Sequence, residues 1–161
     1  MSRRILISIA RQRLWLHEGD RLLLECPVST AANGPGERMD SECTPRGRHR
    51  ICEKIGAGAP VGTVFVGRRP TGEVWTPELR GRHPDRDWIL TRILWLEGLE
   101  EGFNRGGEVD SRARYIYIHG TPDDVPLGVP GSRGCIRVAS EPLLRLYDAV
   151  EVGDEVLIRE E

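Results

Sequence analysis

Lysine is almost missing from this chain: of 23 basic side chains, only Lys54 is a lysine. No apolar run approaches the roughly 18 residues that a membrane span requires. Internal repeats and low-complexity tracts are absent. The excess of positive charge that nucleic-acid binding calls for is also absent, since the formal charge is -2, and this argues against nucleic acid as a partner. The four cysteines, Cys26, Cys43, Cys52 and Cys135, form neither a CxxC pair nor a zinc-ligand spacing. No metal and no cofactor is therefore expected. An even cysteine count permits disulfides, but a domain of this size does not need them.

What is present describes one folded unit. A chain of 161 residues, 39% hydrophobic and 30% charged, suits a single domain spanning residues 1–161 with a real core. With 19 glycines and 11 prolines it holds many turns, which argues against a helical bundle. The arginine-rich cation set suits planar recognition of carboxylate or phosphate. A genomic base-composition bias produces the same pattern, and the two readings stay open.

Hydrophobic alternation predicts strands over residues 5–9, 13–17, 21–26, 49–55, 63–67, 88–96, 114–119 and 155–158, with a turn at Glu18–Asp20 and a tight turn at Thr44–Gly47. The stretch from Arg68 to Asp87, punctuated by Pro70, Pro77 and Pro84, reads as a long polar loop of the lid-like kind. Residues 98–111 read as irregular. One helix is predicted, with Ser140 as its cap and Leu143, Leu144, Leu146, Tyr147 and Val150 as its apolar stripe. The fold class is mainly β, a sandwich or partly closed barrel with one C-terminal helix.

Met1-Ser2-Arg3-Arg4 followed by Ile5–Ala10 faintly imitates a signal peptide. Arg11 and Arg13 end the apolar run too early for a signal h-region of about 7–15 residues. The segment is read as an opening strand. This predicts a cytoplasmic protein, with a periplasmic one as the alternative.

Chemistry concentrates in Ile118-His119-Gly120-Thr121, a Pro/Gly-rich loop, and Ser132-Arg133-Gly134-Cys135-Ile136-Arg137. A cysteine and a histidine at the two ends of a loop meet if their flanking strands are neighbours. The imidazole then takes the thiol proton and the thiolate is the nucleophile. Gly134 allows close approach of a substrate carbonyl, and the amides of Gly134 and Cys135 are candidate oxyanion donors. Taken alone, each residue has a plain structural reading as well. His17, His49 and His83 lack partners at metal spacing and read as surface or packing residues. Cys26 and Cys52 read as buried small hydrophobes, Cys43 as a loop residue and Trp95 as core. The Tyr115–Tyr117 aromatics lack the basic groove that base stacking needs.

The segment HGTPDDVPLGVPGSRGCIRV resembles the active-site signature of the L,D-transpeptidase catalytic domain family. ISIARQRLWLHEGD, with Gln12, is similar to the family's first strands. PVST followed by TPRG resembles a further family element, and LYDAVEVGDEVLI resembles its closing helix and strand. The resemblance covers most of the chain in the right order. It implies Cys135 as nucleophile, His119 as general base, and the Gly120 carbonyl as the group that orients the imidazole. It also implies substrate-side roles for Ser132, Gly134, Arg137 and Trp88. Many members carry a histidine where this chain has Arg133. A fixed charge there would favour the thiolate or hold a carboxylate; the alternative is that Arg133 braces the loop.

The resemblance further implies attack on the diaminopimelate–D-alanine bond of peptidoglycan stem peptides or muropeptides through a thioester. The expected outcome is hydrolysis to tripeptide, an L,D-carboxypeptidase activity, because no export signal is visible. Cross-linking or exchange of D-amino acids is the nearest alternative. A non-catalytic muropeptide-binding module is the alternative from another class.

Overall fold

The computed structural model describes residues 3–161. Met1 and Ser2, the first residues of the signal-like stretch, lie outside it. The rest of that stretch forms a strand.

Strict apolar alternation builds the first sheet edge. β1 (Arg3–Ser8) pairs antiparallel with β2 (Arg13–Glu18), and β2 pairs antiparallel with β3 (Arg21–Pro27). Ile5, Ile7, Leu14 and Leu16 all point into the core, as period-two strands demand. The chain end returns as β10 (Glu155–Arg159), which lies parallel to β1 and antiparallel to β4 (Gly47–Ile55). β4 pairs with the long β7 (Ile89–Gly98), where the sheet forks. One branch is β5 (Thr63–Val66) with β6 (Arg69–Val74); the other is β8 (Tyr117–Gly120) with β9 (Ile136–Val138). The result is mainly β, a single curled sheet half closed on itself.

α2 (Ser140–Ala149) packs Leu143, Leu146 and Tyr147 against this sheet. Each such side chain contributes about 1.5–3 kcal/mol on burial. Its cap differs from expectation. Ala139 is the capping residue and makes no side-chain bond, while Ser140 Oγ lies 2.6 Å from Thr91 Oγ1. The hydroxyl is spent on tying the helix start to β7.

Four local expectations need correction. Residues 68–87 are ordered, containing β6 and a short helix, α1 (Pro77–Arg82). Thr76 caps α1, accepting from the Leu79 amide at 3.1 Å, and Pro77 fits its first turn. The strand expected from Arg114 begins only at Tyr117, because Tyr115 has φ +57 and the chain turns there. No turn forms at Thr44 to Gly47: Thr44 bridges Pro35, and Gly47, with φ +98, opens β4. Trp95, expected in the core, is only half-buried: it packs against the Phe65, Ile93 and Tyr117 cluster and also meets the guanidinium groups of Arg68 and Arg112.

Gln12 pins the first hairpin to the site. It sits in a left-handed turn conformation and is buried; its Nε2 donates to the Ile9 carbonyl at 2.7 Å and to Thr30 Oγ1 at 2.6 Å. Its Oε1 accepts from the Thr30 amide at 3.0 Å. The Thr30 carbonyl in turn accepts from the amides of Gly131 and Ser132, at 2.8 and 2.9 Å. One buried amide side chain thus anchors the loop that leads to Cys135.

Candidate active site

β8 and β9 are parallel neighbours with Ile118 opposite Ile136 and His119 opposite Arg137. Alternation then sorts the side chains. Ile118, Ile136 and Val138 enter the core, so Tyr117, His119, Cys135 and Arg137 share the other face. Same-face residues on one strand stand about 6.6 Å apart, which puts Cys135 and His119 one diagonal step from each other.

His119 is buried at 1% exposure, and its Nδ1 lies 2.7 Å from the Gly120 carbonyl. A carbonyl oxygen only accepts, so Nδ1 carries the proton and Nε2 presents its lone pair. Burial also pulls the imidazole pKa below its ordinary value, against an opposing pull from Asp87 and the Gly120 carbonyl. The ring is therefore neutral at neutral pH, the form a base requires. Gly120 has to be glycine, since a Cβ there would collide with the Leu90 carbonyl of β7.

The thiol of Cys135 donates to the Tyr115 carbonyl at 3.3 Å and accepts from the Tyr117 amide at 3.4 Å. It packs beside Tyr117, Phe65 and Ile93. These apolar surroundings push the thiol up to about 12, with the Tyr117 N–H opposing and Asp87 adding to the rise. In this resting arrangement the sulfur is hydrogen-bonded to the backbone before β8, not to the imidazole.

Gly134 has φ +129, and a Cβ there would lie 3.2 Å from the Cys43 carbonyl. Its carbonyl accepts from Thr44 Oγ1 at 2.9 Å. Its amide donates to Ser132 Oγ at 3.2 Å, and that hydroxyl donates to the Cys135 carbonyl at 2.6 Å. The Gly134 amide, one of the two candidate oxyanion donors, is engaged by Ser132, and the N–H bonded to the sulfur belongs to Tyr117. Ser132 is buried and shapes the loop. Arg133 is exposed. Bracing falls to Arg137, which donates to the Gly131 carbonyl at 3.0 Å and to Asp87 Oδ1 at 3.2 Å.

The segment from β5 to β7 borders the site on two sides. Arg68 lies over the Tyr115 and Trp95 rings, 4.7 and 5.0 Å from their centroids, and donates to Tyr117 Oη at 3.1 Å. Trp88, buried, sits under Arg86 at 4.8 Å. A cleft of about 180 Å³ lies on that side, lined among others by Arg80, Arg86, Trp88, Thr121 and Arg137.

The family model for the L,D-transpeptidase catalytic domain (YkuD) matches residues 2–158. The chain belongs to that family. Solved structures agree with the fold. The L,D-transpeptidase from Mycobacterium smegmatis is 19% identical with a TM-score of 0.57, over 98% of this chain and 58% of that one. L,D-transpeptidase 3 from Mycobacterium tuberculosis is 17% identical with a TM-score of 0.58, over 99% of this chain and 61% of that one. The Enterococcus faecium L,D-transpeptidase is 14% identical with a TM-score of 0.59, over 98% of this chain and 50% of that one. The chain thus spans under two thirds of these relatives. Comparison with curated protein sequences gave no match.

Within this L,D-transpeptidase domain, several groups at the site escaped sequence reasoning. Tyr115 and Tyr117 act through backbone atoms, which leave no signature in side-chain identity. Asp87 reaches Arg137 across 50 residues of chain. Arg114 is half-buried between the site and the 33–46 loop, donating to the Cys43 carbonyl at 2.6 Å. Its tripled donation to that loop, with Gly36 and Ser41 as further acceptors, shows an arginine used as a brace.

The remaining cysteines and histidines of the domain lie apart from this chemistry. All four cysteines are free thiols. Cys26 is buried, whereas Cys52 is half-buried rather than fully enclosed. Desolvation raises both to about 11. His49 is fully buried and bonded to Ser111 Oγ at 2.8 Å; His17 is half-buried on β2 and His83 is exposed. Among the described residues no His, Cys, Asp and Glu cluster could hold a metal, and no helix is long and apolar enough to cross a membrane.

Proposed function

We propose that this domain is a cysteine acyl-transfer enzyme that hydrolyses the diaminopimelate–D-alanine bond of peptidoglycan tetrapeptides. Rotation of Cys135 about χ1 would carry Sγ from the Tyr115 carbonyl towards His119 Nε2, which takes its proton. The thiolate adds to the diaminopimelate carbonyl. His119 then returns the proton to the leaving amine, D-alanine departs, and a thioester remains. Water, deprotonated by His119, attacks that thioester, and the collapse restores the Cys135 thiol and frees the tripeptide carboxylate.

The observation that carries this reading is the tautomer of His119. Its Nδ1–H is committed to the Gly120 carbonyl, which leaves Nε2 as the basic nitrogen of a ring that shares a sheet face with Cys135. A binding module has no use for that arrangement. Hydrolysis is the outcome proposed, and transfer to an amine acceptor is the alternative, since both share the first half-reaction.

Incubation with free tetrapeptide and a labelled D-amino acid tests the reading. Release of tripeptide without label incorporation is the expected result, abolished in Cys135→Ala. Efficient exchange would assign the second half-reaction to an amine acceptor. Unchanged turnover by Cys135→Ala would remove the cysteine mechanism altogether.

A further inference from the structure

We infer that the cleft between α1, Trp88 and Arg137 is a binding site for the C-terminal carboxylate of the residue that leaves, which makes the enzyme an exopeptidase by recognition as well as by outcome. The inference rests on the hydrolytic reading above and specifies its substrate end.

The position of the cleft follows from the proton path. His119 protonates the departing amine, so the leaving residue lies on the His119 side of Cys135. Arg137 stands opposite His119 in the β8–β9 register, and Thr121 follows the His119–Gly120 pair directly. Both line the cleft. The carboxylate of a single terminal residue is separated from its amine by one Cα. A residue whose amine is at His119 therefore directs its carboxylate into this space.

The chemistry of the wall matches. Three guanidinium groups, those of Arg80, Arg86 and Arg137, line it together with Trp88. Each has an acidic neighbour: Arg80 meets Asp124 at 3.0 Å, Arg86 meets Glu73 at 3.0 Å, and Arg137 meets Asp87 at 3.2 Å. None of those three acids lines the cleft. Their pairs fix the arginines from behind, and an arginine has five donors, so donors remain for an incoming anion. Arg80 lies with its guanidinium over the Trp75 ring, 5.5 Å from the centroid, which holds it in place at the cleft wall. Trp88 holds Arg86 by its ring face, which pre-orients the guanidinium at low entropic cost.

The test compares L-Ala-γ-D-Glu-meso-diaminopimelate-D-Ala with its C-terminal amide, by calorimetric binding to Cys135→Ala and by turnover with the unsubstituted enzyme. The acid should bind roughly tenfold or more tightly than the amide, the factor of a charge-assisted hydrogen bond. Arg86→Gln and Arg80→Gln should weaken binding of the acid and leave the amide unchanged, so that the preference falls towards one. Arg86→Lys, which keeps the charge and the fold, should recover part of it. Equal binding of acid and amide would overturn the inference, as would variants that weaken both peptides alike. Because binding is read on a protein without the thiol, loss of the carboxylate preference is distinguishable from failure of the hydrolytic reading, which only turnover reports.

Discussion

Arg137 donates to Asp87 at 3.2 Å on the sheet face that carries Cys135 and His119. The pair sets opposed charges beside the Cys135 thiol and the His119 imidazole. Asp87 pulls the His119 pKa upward and Arg137 pulls it downward, with burial dominating both. Replacing Asp87 with asparagine removes the anion that favours imidazolium. The acid limb of kcat/KM for Asp87→Asn is expected at lower pH than in the unsubstituted enzyme. A limb that stays in place or moves up would contradict the placement of this pair.

His119 itself should leave the acid limb below its ordinary 6.5, because desolvation disfavours the charged ring. The Cys135 thiol, raised to about 12, should be alkylated slowly at neutral pH. Mass-spectrometric labelling with iodoacetamide is expected to show its rate still climbing above pH 9. A plateau near pH 7 would mean a preformed thiolate.

His49 carries a stability prediction. Its folded pKa is lowered to about 4 from 6.5 by burial. The unfolded chain therefore binds an extra proton between those values, and stability is lost as pH falls through that window. The integrated loss is roughly 3 kcal/mol by linkage. Urea unfolding of the unsubstituted protein between pH 7 and 4 should show this slope, and His49→Gln should reduce it. An identical slope in the variant would assign the proton uptake elsewhere, His119 being the other buried imidazole whose pKa is lowered.

Gly134 combines left-handed backbone with a wall at 3.2 Å. Alanine there is expected to cost about 1–3 kcal/mol and to shift the adjacent thiol. Differential scanning calorimetry and turnover should both fall. Full activity with a lowered melting temperature would show that the loop has more freedom than its bonds to Thr44 and Ser132 suggest.

Gln12→Ala removes three buried hydrogen bonds at once. Leaving Thr30 and the Ile9 carbonyl without partners should cost about 1–3 kcal/mol per unsatisfied group. Since Thr30 holds Gly131 and Ser132, kcat is expected to fall with stability. A stable but slow Gln12→Glu variant would separate the two effects.

Local pattern accounts for what the amino-acid order by itself determined. Alternation placed Ile5, Ile7, Leu14 and Leu16 on one face, the helical stripe Leu143–Val150 marked α2, and the spacing of His119 and Cys135 marked the two chain segments of the site. These are short-range properties, legible because strand and helix periods repeat within a few residues. The chain path alone decided the rest. Thr76-Pro77 was a legible helix start, hidden by the surrounding prolines and charges. Tyr115 and Tyr117 meet the sulfur through backbone atoms, which side-chain identity does not encode. Asp87 reaches Arg137 only after the chain has folded back across the sheet, and an ion pair 50 residues apart in sequence has no periodic signal. Tertiary packing also overrode local preference at Ser140, whose hydroxyl has a partner on β7 instead of its own helix.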